Sequence, residues 1–133
     1  MGGEANGIDG VRNIVRSLIK EDVDFIKVAV SGGSTLTSDP YRPAYSTEEV
    51  QTIVHEAHNR DKPVLAHCRC TSSVNLALDA GVDAILHCAF YDSDGCYRFD
   101  EATAYRLATS DTWLNPTMQI GRASQAALTL LKE

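Results

Sequence analysis

The sequence has no unbroken run of about 18 apolar residues, the length a helix needs to cross a bilayer, so a membrane-spanning role is not expected. Its opening stretch, MGGEANGIDG, carries neither the basic segment nor the apolar segment of a secretory leader. No stretch is enriched in lysine and arginine. With 12 basic against 18 acidic side chains the formal net charge is -6, which argues against a nucleic-acid partner, since phosphate binding needs a local cationic excess. Proline is scarce, at four, and glycine stands at nine, so neither a fibrous repeat nor a low-complexity linker is present. The four cysteines, Cys68, Cys70, Cys88 and Cys96, lie in or just after apolar strand-like runs rather than punctuating a loop-rich scaffold. Reduced thiols and a cytoplasmic location are the expectation.

What is present is a regular alternation. VRNIVRSLIKE sets Val11, Ile14, Val15, Leu18 and Ile19 on one helical stripe, and the β-branched run FIKVAVS follows it. Ser46 and Glu49 form an S-x-x-E capping box that opens the helix STEEVQTIVHEAHNR, and PVLAHC follows as a strand. SSVNLALDA, closed by Gly81, precedes DAILHC; EATAYRLATS, with Asp100 as its N-cap, precedes TWLNPTM; and RASQAALTLLKE is a last helix. Helices of this length between successive strands imply parallel pairing with crossover connections, hence an α/β class, and residues 1–133 read as one domain. Helix-to-strand links are short, whereas the strand-to-helix links SGGSTLTSDPYRPAY and AFYDSDGCYRF are long. Ligands of α/β proteins bind beyond the carboxyl ends of the strands, so the long loops mark the working face.

Three polar residues interrupt these apolar runs: Lys27 in FIKVAVS, His67 in VLAHC and His87 in AILHC. A lone strand histidine is more often a hydrogen-bonded core residue than a ligand. Two in the same Leu-(x)-His-Cys setting, one βα unit apart, place two imidazoles at one rim, where they suit zinc and similar ions. Lys27 is the odd member, because an ammonium repels a cation. Burial favours the neutral, nucleophilic amine, and carboxylation by carbon dioxide would turn it into an anionic oxygen ligand.

FIKVAVSGG, VHEAHNRDKPVLAHC and ALDAGVDAILHC together resemble the amidohydrolase superfamily, in particular its imidazolonepropionase-like and prolidase-like branch, from about Val11 to about Thr117. The resemblance implies a (β/α)8 TIM barrel of which this chain holds about half, the fourth to seventh units. It also implies that Lys27, carboxylated, bridges two metals and that His67 and His87 bind one of them. The implied reaction is hydrolysis of a C–N bond in an amide, cyclic amide, dipeptide, carbamate or urea, with metal ions supplying hydroxide from water and polarising the scissile carbonyl. Zinc is the first expectation, with iron and manganese sharing the ligand types. The family's His-x-His pair is absent and so is its eighth-strand aspartate, so the sequence is expected to be a piece of a larger catalyst, incomplete alone, with no catalytic proton carrier assignable here. Such a half-barrel is expected to associate with a second copy or with the rest of a barrel, because its outer strands expose unpaired edges. The alternative is a non-catalytic α/β module, metal-free or with a structural ion, whose histidines are core residues.

Among the remaining polar residues, Tyr41, Arg42, Arg69, Tyr91, Tyr97 and Arg98 lie in or beside the long loops; Tyr41, Arg42, Arg69 and Tyr97 are candidates to contact a small-molecule substrate. His55 and His58 fall mid-helix without an H-E-x-x-H pattern and read as exposed helix residues. A four-cysteine zinc site fits by residue type. It is disfavoured because Cys68 and Cys88, next to the two histidines in their strands, should face the helix layer, while Cys70 and Cys96 read as loop residues. Gly32-Gly33 reads as a tight turn rather than a phosphate loop.

Overall fold

Each apolar run becomes a strand with a helix before it in the computed structural model, which describes residues 3–33, 35 and 37–117. The order is α1 (Gly7–Lys20), β1 (Ile26–Ala29), α2 (Thr47–His58), β2 (Val64–Cys70), α3 (Thr71–Ala80), β3 (Ala84–Tyr91), α4 (Glu101–Ala108) and β4 (Trp113–Asn115). The helix expected over residues 122–133 lies outside the described residues. The strands form one sheet in the order β1-β2-β3-β4, and every neighbouring pair is parallel, as the intervening helices require.

Local chemistry sets the ends. The Ser46 hydroxyl accepts from the Glu49 amide at 3.3 Å and the Glu49 carboxylate accepts from the Ser46 amide at 2.7 Å, so the capping box is complete. The other oxygen of Glu49 accepts from the Gly7 amide at 2.7 Å, tying the start of α1 to the start of α2. Gly81 ends α3 at φ 78°, a left-handed angle that costs glycine nothing, and Asp100 caps α4 through the Thr103 amide at 2.7 Å.

The sheet has two unlike faces. Val11 and Val15 of α1, Val50, Ile53, Val54 and Ala57 of α2, and Val74 and Ala77 of α3 pack on Ile26, Val28, Val64, Ala66, Cys68 and Ile85, forming one buried core. Alternate residues point the other way, and there Lys27 and Ala29 are exposed and Leu65, His67 and Arg69 half-buried. At the amino ends of the strands Asp83 is a staple: one carboxylate oxygen accepts from the Val64 amide at 2.7 Å and meets His58 Nε2 at 2.8 Å. No helix among the described residues is long and apolar enough to cross a membrane.

Candidate metal centre

The site begins where β1 ends. Val30 and Ser31 are completely buried, and Ser31 is sewn to the end of β2: its amide donates to the His67 carbonyl at 3.3 Å and its hydroxyl accepts from the Arg69 amide at 2.9 Å. The chain then turns so tightly that the Gly32 amide donates to the Asp39 carbonyl at 2.8 Å. A Cβ on Gly32 would stand 2.6 Å from that same carbonyl oxygen, so only glycine fits, as the turn reading of Gly32-Gly33 expects. The turn aims the Gly32 carbonyl at the His67 ring, whose Nε2 lies 3.3 Å away.

His87 reaches the same place by an irregular route. The parallel register sets Cys68 opposite His87, and simple alternation would carry His87 to the helix side with Cys68, which is completely buried there. The strand breaks its alternation instead: His87 and Cys88 have φ of 70° and 47°, both left-handed. The His87 ring turns to the open face, its centroid 4.4 Å from that of His67 with the planes at 67°, while Cys88 packs against the core. Cys68 and Cys88 thus face the helix layer, as expected, but on β3 this depends on the break. Beyond the ring, His87 Nδ1 lies 2.7 Å from the Thr117 hydroxyl.

Burial lowers the pKa of both histidines below the usual 6.5. For His67 the next cause is His87 itself, partly offset by the Gly32 carbonyl and then reinforced by Lys27 and Arg69; for His87 it is Arg69 and then Lys27. Both shifts favour the neutral ring, the form that binds metal. Among the described residues Nδ1 of His67 and Nε2 of His87 make no hydrogen bond, so each ring keeps one nitrogen for a ligand. No group of three or more His, Cys, Asp and Glu among the described residues is arranged to hold an ion.

Lys27 is placed differently from its apolar setting in the sequence. It is exposed on the open face, the second residue of β1, and the strand register sets Ala29, not Lys27, opposite His67. Two residues of strand span roughly 6–7 Å, a gap a lysine side chain bridges only when extended toward the histidines.

The aromatic residues gather around Tyr91, the last residue of β3. Tyr41 meets its ring edge-on with centroids 5.7 Å apart, Tyr97 does so at 5.9 Å, and the Arg69 guanidinium stands 5.7 Å from its centroid. Three of the four candidate substrate contacts thus share one neighbour. The fourth, Arg42, is exposed on the loop after β1. A cleft of about 570 Å³ opens beside Tyr91, lined by Thr71, Ser72, Asn75 and Asp92 among others, and neither histidine lines it. Arg98 pairs with Asp92 and with Asp94, holding the Asp94 carboxyl down at about 2, so the charges of this loop satisfy one another.

Some expectations need correction. Cys70 is no loop residue: it closes β2, is buried, and sits at the start of α3, where its amide donates to Ser73. Cys96 is exposed in the loop before α4. His55 and His58 are exposed, His55 beside Asn59 and His58 beside Asp83. The residues that sequence reasoning missed are Ser31 and Thr117. Ser31 gives no signal, whereas the polar Asn-Pro-Thr ending a strand run was a visible one.

No family model matches the chain. The ochratoxinase of Aspergillus niger is 33% identical to it over 91 residues, covering 68% of this chain and 19% of that relative. The crystal structure of the A. niger ochratoxinase superposes with a TM-score of 0.80 at 27% identity, covering 92% of this chain and 27% of that one. The crystal structure of an amidohydrolase gives 0.74 at 32% identity, over 85% of this chain and 26% of that one. A Xaa-Pro dipeptidase with methionine bound in its active site also gives 0.74, at 27% identity, over 88% of this chain and 27% of that one. The fold therefore matches part of the TIM barrel of these structures, four parallel strands with their helices. The chain belongs to the amidohydrolase superfamily over the portion of the barrel it covers. It spans about a fifth of the length of the curated relatives it matches.

Proposed function

We propose that the chain is part of the catalytic barrel of a metal-dependent amidohydrolase that cleaves a C–N bond in a small amide, cyclic amide, dipeptide, carbamate or urea. The observation that carries this reading is the His67–His87 pair: two imidazoles with ring centroids 4.4 Å apart at one rim, each with one ring nitrogen making no hydrogen bond among the described residues. The pair would suit a divalent ion, zinc first, and Lys27, two residues behind His67's register partner on the open face, would be the third donor if carboxylated. When bound, such an ion acidifies water and polarises a carbonyl. The chain's own part is to hold the two rings neutral and oriented, and to present Tyr41, Arg69 and Tyr97 around Tyr91, with Arg42 nearby, to the substrate.

The outer edges of β1 and β4 pair with nothing among the described residues, which supports association with the remainder of a barrel or with a second copy. The thiols built into β2 and β3 support a reducing, cytoplasmic setting. Elemental mass spectrometry of the purified chain after incubation with zinc, compared with a His67→Ala/His87→Ala variant, tests the central claim. The reading expects bound zinc in the first and loss in the second; equal, near-zero metal in both sinks it.

A further inference from the structure

Asn115, the last residue of β4, pairs in register with Leu86, so the chain leaves β4 level with His87. The Asn115 side-chain oxygen accepts from the Thr117 amide at 3.1 Å and closes a short turn over Pro116. Thr117 is held at φ 49°, an angle that β-branched residues rarely adopt and that persists only where surrounding contacts impose it. Its hydroxyl comes to 2.7 Å from His87 Nδ1.

We propose that Thr117 is a positioning residue for His87: its hydroxyl accepts the Nδ1 proton, fixing the ring as the Nδ1–H tautomer with the Nε2 lone pair turned toward the site. One feature favours this direction over a hydroxyl that donates to Nδ1. The reversed bond would put a proton on Nε2, a donor that meets no acceptor among the described residues and would be left without a partner. The other ring is held in the complementary way, since the Gly32 carbonyl at 3.3 Å can only accept, leaving His67 as the Nε2–H tautomer with its lone pair on Nδ1. The two histidines therefore offer different nitrogens from a single face. The proposal rests on the metal reading only for its purpose; the tautomer itself is a property of the metal-free chain. Hydrogen-bonded partners of this kind fix the orientation of ligating histidines and typically change metal affinity by about 10–100-fold when removed.

The test uses the full chain, 15N-labelled at histidine and metal-free, read by long-range 1H–15N correlation, with Thr117→Val, Thr117→Ala and Thr117→Ser. Wild type and Thr117→Ser are expected to show His87 with a protonated Nδ1. Thr117→Val, and Thr117→Ala should the valine variant fail to fold, are expected to revert toward the Nε2–H form. An Nε2–H ring in wild type, or a tautomer indifferent to loss of the hydroxyl, overturns the proposal. Zinc titration of the same proteins then separates the two ideas. Weaker zinc binding by about 10–100-fold in Thr117→Val but not Thr117→Ser supports both, whereas a tautomer change with zinc bound by none of the proteins upholds the positioning role and defeats the metal reading.

Discussion

The rings of His67 and His87 stand 4.4 Å apart although the strand register pairs His67 with Leu86 and His87 with Cys68. Neighbouring positions of a pleated strand point to opposite faces, so this closeness requires β3 to break its pleat, which it does at two consecutive left-handed residues. The loop after β1 fixes one ring through Gly32, and the turn after β4 meets the other through Thr117. Four strand ends thus cooperate on two side chains.

The first prediction concerns Gly32. Any side chain there meets the backbone of Asp39 at 2.6–2.7 Å, and backbone cannot rotate away as a flexible side chain can. Gly32→Ala is expected to cost about 1–3 kcal/mol, the usual penalty of forced overpacking. It should also displace the carbonyl that faces His67. Urea unfolding measures the first effect and the His67 ring resonances the second; a variant as stable as wild type with unmoved His67 resonances contradicts the account of the turn.

Ser31 offers a cleaner hydrogen-bond test, because its side chain is completely buried and accepts from the Arg69 amide at 2.9 Å. Ser31→Ala leaves that amide without its acceptor at little change in volume, an expected loss of about 1–3 kcal/mol in the urea midpoint analysis. Amide exchange at Arg69 should accelerate by more than at core positions of β2 such as Ala66. Uniform acceleration would mean that Ser31 stabilises the fold without specifically holding the end of β2.

Much of this architecture was legible in the sequence, and the reasons are local. Ser46 with Glu49, Gly81 and Asp100 announce helix ends because caps are made by neighbouring residues. The β2 and β3 runs are apolar and β-branched enough to declare themselves, and the matching His-Cys endings point to a shared rim. What stayed hidden arises between segments or against residue type. Nothing in AILHC signals left-handed backbone at His87 and Cys88, since neither residue type prefers it strongly. Ser31 and Thr117 act on residues 38 and 30 positions away in the chain, a separation that local patterns do not report. Lys27 looked buried because its neighbours Ile26 and Val28 are, yet alternation turns it to the open face.

The two faces of β3 make a further prediction. Ile85 is completely buried among helix side chains, while its neighbour Leu86 stands half-buried on the open face. Ile85→Ala should cost about 2–5 kcal/mol, and Leu86→Ala clearly less, because a partly exposed side chain loses less burial and leaves no closed cavity. Parallel urea melts of the two variants decide it. A larger loss for Leu86→Ala would show that the open face is covered in solution, by a second copy or another segment.

The last prediction is a pH dependence at the other end of the sheet. Burial pushes the Asp83 carboxyl upward, but the Val64 amide at 2.7 Å and His58 at 2.8 Å outweigh it, and the net pKa lies below the ordinary 3.8. A carboxyl with a depressed native pKa binds protons less readily folded than unfolded, so its contribution to stability is present above 3.8 and fades as pH falls through the lower native value. Asp83→Asn keeps the shape and removes the charge. It should destabilise the chain near neutral pH, and the gap between variant and wild type should narrow well below pH 3.8 as the wild-type carboxyl protonates in both states. Urea midpoints for both proteins across that range give the test. A gap that stays constant with pH would assign the effect of Asp83 to hydrogen-bond geometry alone, and a gap that widens on acidification would reverse the sign of the linkage.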